Sequence, residues 1–65
     1  GQKNRQKIID AITAYQVAHN VPPTLREVAA ETGISLTAVV HHVNMLYADN
    51  LVTFEPGKRR TLRVL

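Results

Sequence analysis

Residues 24–50, TLREVAAETGISLTAVVHHVNMLYADN, decide the fold, because they contain a complete set of stop and start signals for two short helices. Thr24 and Glu27 form a T-x-x-E capping box, in which hydroxyl and carboxylate satisfy each other's orphan amides at a helix start. The first helix is expected from Leu25 to Glu31 or Thr32, with Leu25, Val28 and Ala29 turned inward and Arg26, Glu27 and Glu31 outward. Gly33 ends it, since a sharp turn toward a second helix needs a left-handed residue and glycine adopts that conformation without a Cβ clash. Ser35 then restarts the chain as an N-cap for a helix from Leu36 to about Asp49. Its inward stripe is Val39, Val43 and Leu46, with Ile34 in the turn and Ala38 and His42 flanking. Leu36, Thr37, Val40, His41 and Asn44 form the outward set. Asn50 closes the helix, as asparagine tolerates the left-handed region better than most side chains.

Upstream, Asn4 to His19 carries Ile8, Ile9, Ile12 and Tyr15 at helical spacing, which predicts a first helix with one buried stripe and Asn4 as its cap. Lys3, Arg5 and Lys7 crowd its first turns, where the macrodipole favours acids; they read either as cations facing a phosphate backbone or as a solvated end. Val21-Pro22-Pro23 cannot continue a helix and is expected to be a rigid connector. Downstream, Leu51–Phe54 reads as a strand, Glu55-Pro56-Gly57-Lys58 as a turn, and Arg59–Leu65 as a return strand in which Leu62 and Val64 alternate with Thr61 and Arg63. Two strands alone are marginal in water, so their apolar face must lie on the first and third helices.

The expected fold is therefore mainly α with a small β-hairpin (α+β): a winged helix-turn-helix of three helices plus a C-terminal two-stranded wing, occupying residues 1–65 as one domain. Sixty-five residues leave no room for a large substrate cleft. The absence of cysteine removes disulfides, thiolate metal sites and a cysteine nucleophile together. No apolar run approaches the roughly 20 residues that span a bilayer, no signal-peptide pattern is present, and no nucleophile is paired with a base and an acid. A soluble, non-enzymatic domain without cofactor, membrane or small-molecule partner is expected. The chain opens on Gly1 and carries a formal charge of +3, which suggests a piece of a longer protein and suits a polyanionic partner.

That partner is expected to be duplex DNA. A helix placed like the third one lies in the major groove, with its N-terminal half at the base edges. Thr37, His41 and Asn44 supply polar readers, Asn44 being able to pair bidentately with adenine, while Leu36 and Val40 would meet thymine methyls. Ser35 and Thr24, at helix N-termini, would each hold a phosphate, and Arg26 would reach another. The helix has no Lys or Arg between Ser35 and Ala48, so attraction must come from Lys58, Arg59 and Arg60 at the wing tip, with Arg63 on the strand. Two blander readings compete: a solvated helix face, which sits badly with Leu36 and Val40 together on it, and a charged turn that only keeps an edge strand soluble. A different class, a protein-docking module using Leu36 and Val40, is separable by salt titration. His41 and His42 are neighbours about 100 degrees apart on the helix and cannot share a metal, so no metal site is expected; His42 is expected to pack as a hydrogen-bonded ring. Tyr15 and Tyr47 are expected in core or rim packing with a wet hydroxyl.

Pro22-Pro23-Thr24 before a short helix, the Gly33-Ile34-Ser35 turn, the His42-Val43 pair, Asn50-Leu51-Val52 and the basic hairpin together resemble the DNA-binding domain of LexA-type SOS repressors and related winged-helix regulators. The resemblance covers nearly the whole chain, with two departures: the spacing after Gly33 is one residue shorter than typical, and Asn50 stands where the family usually has glycine. It implies a transcriptional repressor of the DNA-damage response, cytoplasmic and bacterial or phage-encoded, acting as a homodimer through a region outside this chain. The family's self-cleaving Ser/Lys centre lies in a second domain and is not assigned to these residues.

Overall fold

The computed structural model describes residues 2–65 and orders them as α1 (Gln2–His19), α2 (Leu25–Thr32), α3 (Leu36–Ala48), β1 (Val52–Thr53) and β2 (Arg63–Val64). The ends of α2 follow from the residues named above. Thr24 Oγ1 accepts from the Glu27 amide at 3.2 Å while the Thr24 amide donates to Glu27 Oε1 at 2.8 Å, completing the capping box. Gly33 stands at φ 72 and its amide returns to the Ala29 carbonyl. Ser35 Oγ accepts from the Ala38 amide at 3.2 Å and opens α3. At the far end Asn50 is left-handed (φ 61), with its amide on the Tyr47 carbonyl and the Leu51 amide on the Leu46 carbonyl. These are the paired bonds of a Schellman closure, with Asp49 as the cap and Asn50 just beyond it.

One correction falls on α1. Asn4 lies inside the helix rather than capping it, since the helix already runs from Gln2. Its C-terminal stop is Asn20, whose φ of 62 turns the chain out after an amide bond to the Gln16 carbonyl; the sequence reading did not single this residue out. Pro22 and Pro23 are both buried, so the connector is part of the packing as well as a helix breaker.

The core gathers one stripe from each element: Ile8, Ala11 and Ile12 of α1, Val28 of α2, Val39, Val43 and Leu46 of α3, and Val52 and Leu62 of the hairpin. Burying the Val, Leu and Ile side chains among these contributes about 1.5–3 kcal/mol each, which is the main force holding the three helices together. The hairpin is antiparallel, with Val52 opposite Val64 and Thr53 opposite Arg63, and β1 lies by α3 while β2 lies by α1. Its ladder is much shorter than the four- and seven-residue strands expected. The segment from Phe54 to Leu62 leaves the ladder because Thr61 takes over its hydrogen bonds: Thr61 Oγ1 accepts from the Glu55 amide at 2.8 Å and lies 3.4 Å from the Glu55 and Lys58 carbonyls. Within it, the Lys58 amide reaches the Glu55 carbonyl at 3.1 Å across Pro56 and Gly57 (φ 79), the residue pattern of a type II turn. Val64, expected to face inward with Leu62, is 37% exposed, because the α1 flank beside it covers the strand only in part.

Candidate nucleic-acid interface

All five residues of the outward set on α3 are exposed: Leu36, Thr37, Val40, His41 and Asn44. At 100 degrees per residue they occupy one continuous face, opposite Val39, Val43 and Leu46, so a single periodicity divides the helix into a core side and a reading side. Thirteen residues make a rod of about 20 Å, long enough to follow a major groove about 12 Å wide. Tyr47 continues the same face, seven residues beyond Val40 and three beyond Asn44. It meets Phe54 of the wing with ring centroids 4.9 Å apart. The spacing alone was enough to find Tyr47, but an aromatic near a helix end reads first as rim packing.

Leu36 and Val40 do not stand alone on the surface. They form one wall of a cleft of about 350 Å³ whose other walls are the start of α2 and the wing. Its apolar lining includes Pro23, Leu25, Phe54 and Leu62, and its rim carries Arg26, Lys58 and Arg59. The fold thus brings cations more than thirty positions apart in the sequence to the edge of the helix face that has none. Arg26 and Arg59 make no ion pair among the described residues, and both are exposed. Lys58 Nζ lies 3.3 Å from Glu55 Oε2 with both side chains largely in water, an ion pair that damps its charge locally and adds little stability.

Other expected phosphate ligands are placed differently. Arg60 also lines the cleft, but its guanidinium is tied to the helices: Nη1 donates to Tyr15 Oη at 3.3 Å and to the Pro22 carbonyl at 3.2 Å, and lies 3.0 Å from Glu27 Oε1. Glu27, expected to face water, is the hub of this cluster, because its Oε2 also accepts from the Tyr15 hydroxyl at 2.6 Å. That bond, with the capping amide of Thr24 and the nearby guanidinium, lowers the Glu27 carboxyl to a pKa of about 2. Tyr15 therefore has a bonded hydroxyl rather than a wet one. The Thr24 amide is taken by Glu27, whose ionised carboxylate offsets the positive end of α2. Ser35 keeps an exposed hydroxyl beside the start of α3, and no carboxylate of α3's first turn opposes an anion there.

Arg63 sits away from the tip, lining a shallow groove with Ile12, Thr13, Gln16 and Val17 of α1. Arg5 is tied to Asp49 at 3.1 Å and so joins the start of α1 to the end of α3, while Lys3 and Lys7 are exposed. His41 and His42 stack edge to face with centroids 5.8 Å apart. His42 differs from the expected hydrogen-bonded ring, for its Nδ1 is out of water and has no partner among the described residues. That burial, aided by the positive charges of His41 and Arg5, pushes its pKa down.

Residues 2–61 match the family model of the LexA DNA binding domain. The chain is 36% identical to a LexA repressor of Limosilactobacillus fermentum over 94% of its own length and 30% of the relative's. Similar matches are a LexA repressor of Exiguobacterium sibiricum, 31% identical over 97% of this chain and 31% of that protein, and one of Oleidesulfovibrio alaskensis, 35% identical over 92% and 29%. The chain spans about 30% of the length of the curated relatives it matches. The match runs through the capping box, the glycine turn and the whole of α3, and it shows the family: this chain belongs to the family of LexA DNA-binding domains.

Proposed function

We propose that this domain reads a specific duplex DNA sequence as the operator-binding module of a LexA-like transcriptional repressor, two copies acting together on a two-fold site. The observation that carries the proposal is the exposed face of α3 set beside a cleft with cations on its rim. In this reading α3 lies in the major groove. Asn44 pairs with a base edge, adenine being its best bidentate partner; Thr37 and His41 offer further hydrogen bonds, and Leu36 and Val40 pack on thymine methyls. Ser35 and the first amides of α3 hold a phosphate, Arg26 takes the adjoining one, and Lys58 with Arg59 tracks the backbone from the wing. The base-reading helix has no cation, so base discrimination and electrostatic affinity are assigned to different parts of the domain.

A single copy with three or four phosphate contacts binds weakly, which is why a dimer is part of the proposal; the pairing surface is assigned to a region outside these residues, and the site of action to the bacterial cytoplasm. No described helix is long and apolar enough to cross a membrane. The test is selection of bound duplexes from a random pool with two tethered copies. Enrichment of paired half-sites, centred one helical turn (about 10 base pairs) or a multiple of it apart, is the expected outcome. Pools that stay random, with no detectable duplex binding even at low salt, would instead support docking on a protein through Leu36 and Val40.

A further inference from the structure

We propose that Arg60 is a positioning residue for DNA binding: it latches the wing to the corner between α1 and α2, and the latch sets where Lys58 and Arg59 stand against the phosphate backbone. This rests on the DNA reading above and assigns Arg60 a role other than touching DNA. The wing needs such a device. Its ladder pairs only two residues of β1 with two of β2, and the loop between them is bonded largely to itself through Thr61 and the Glu55–Lys58 turn. Among the described residues, every hydrogen bond from the 54–62 loop to the helices comes from Arg60.

Three features mark the latch as built. The Arg60 backbone is left-handed (φ 58), a conformation that a residue with a Cβ holds only where its surroundings impose it. Its guanidinium meets three acceptors from two directions: the Tyr15 hydroxyl on α1, the Pro22 carbonyl in the connector and the Glu27 carboxylate on α2. Those acceptors are themselves fixed, since Glu27 caps α2 and accepts a hydrogen bond from the Tyr15 hydroxyl at 2.6 Å, and Pro22 is buried. Glu27 remains ionised at any pH used for DNA binding, so Arg60 stays neutralised by it. A paired guanidinium offers little net attraction to phosphate. Its neighbours Lys58 and Arg59, two and one residues away, line the same cleft without such ties to the helices, and their placement depends on where residue 60 is pinned.

The test is a cycle of variants measured on a duplex selected by the wild-type domain, with affinity and salt slope as readouts and melting temperature as a control for folding. Tyr15→Phe removes one latch partner without touching the wing, and Arg60→Gln removes the latch. Both are expected to weaken DNA binding, Arg60→Gln by roughly three- to tenfold, as for coupled neighbours. On a Lys58→Ala/Arg59→Ala background, Arg60→Gln is expected to have almost no further effect, because there is no tip charge left to position. An equal loss on both backgrounds, with the salt slope falling by about one more unit, would make Arg60 a direct phosphate ligand and overturn the proposal. So would a lowered melting temperature with unchanged DNA affinity in the folded variants. Absence of any duplex binding by the wild type would sink the DNA reading and the latch with it, whereas wild-type binding with additive losses sinks the latch alone.

Discussion

Replacing Arg59 with alanine isolates the electrostatic half of the proposed interface. Arg59 is exposed at the cleft rim and, among the described residues, has no ion pair, so its whole charge is available to a phosphate. Neutralising one phosphate on duplex DNA contributes about 0.9 to the slope of log affinity against log salt, so Arg59→Ala should flatten that slope by about 0.9. Between about 50 and about 200 mM salt the penalty of the substitution should therefore shrink by roughly threefold, most of the loss being seen at low salt. The penalty should be the same on a selected duplex and on a random one, since a backbone contact carries no sequence information. Fluorescence anisotropy at four or five salt concentrations on both duplexes measures this. Parallel salt plots for wild type and variant, or a penalty confined to the selected duplex, would refute the assignment of Arg59 to the backbone.

Asn44→Ala should behave in the opposite way, costing about 1–3 kcal/mol on the selected duplex, little on a random one, and relaxing preference at one base position in a repeated selection. Glu55→Gln removes the carboxylate that pairs with Lys58 at 3.3 Å, so it should tighten binding at low salt by roughly twofold while leaving sequence preference unchanged; weaker binding in an anisotropy titration would contradict the wing placement. His42 has a folded pKa below its ordinary 6.5, so the unfolded chain takes up a proton more readily and stability rises with pH. Thermal melts should show full stability above about pH 7 and a progressive loss toward pH 5, a loss that shrinks in His42→Phe; identical pH profiles would show that the ring does not titrate with folding. Gly33→Ala should cost about 1–2 kcal/mol of stability by denaturant unfolding, purely from the left-handed backbone, because nothing lies within 4 Å of where the new Cβ would stand; a neutral result would contradict the turn geometry.

The helices and their two faces could be read from the chain because they rest on local chemistry. The capping box, Gly33 and Ser35 act within four residues of themselves, and the 3.6-residue period that buries Val39, Val43 and Leu46 exposes Thr37, Val40 and Asn44 by the same arithmetic. What local rules could not supply were the contacts that depend on which elements meet. Arg60 reads as one more cation in a basic run, and only the packing of wing on α1 and α2 reveals the Tyr15–Glu27–Pro22 cluster that captures it. Glu27 was read for its cap alone, yet a carboxylate has a second oxygen, and that oxygen serves the latch. The strands were read as too long because alternation of Leu62 and Val64 with Thr61 and Arg63 describes a pleat, while Thr61 diverts its own side chain into the bonds the ladder would have made. Asn20 and Asn50 end two helices in the same left-handed way, but only the second stood beside a recognisable change of period.

Backbone amide chemical-shift mapping during titration with a selected duplex tests the central claim most directly. The account predicts that the perturbed amides cluster on Ser35–Asn44 of α3 and Lys58–Arg59 of the wing, with Arg26 between them and the outer face of α1 around Asp10 and Val17 unchanged. Perturbations centred on α1, or a duplex that shifts neither α3 nor the wing, would contradict it.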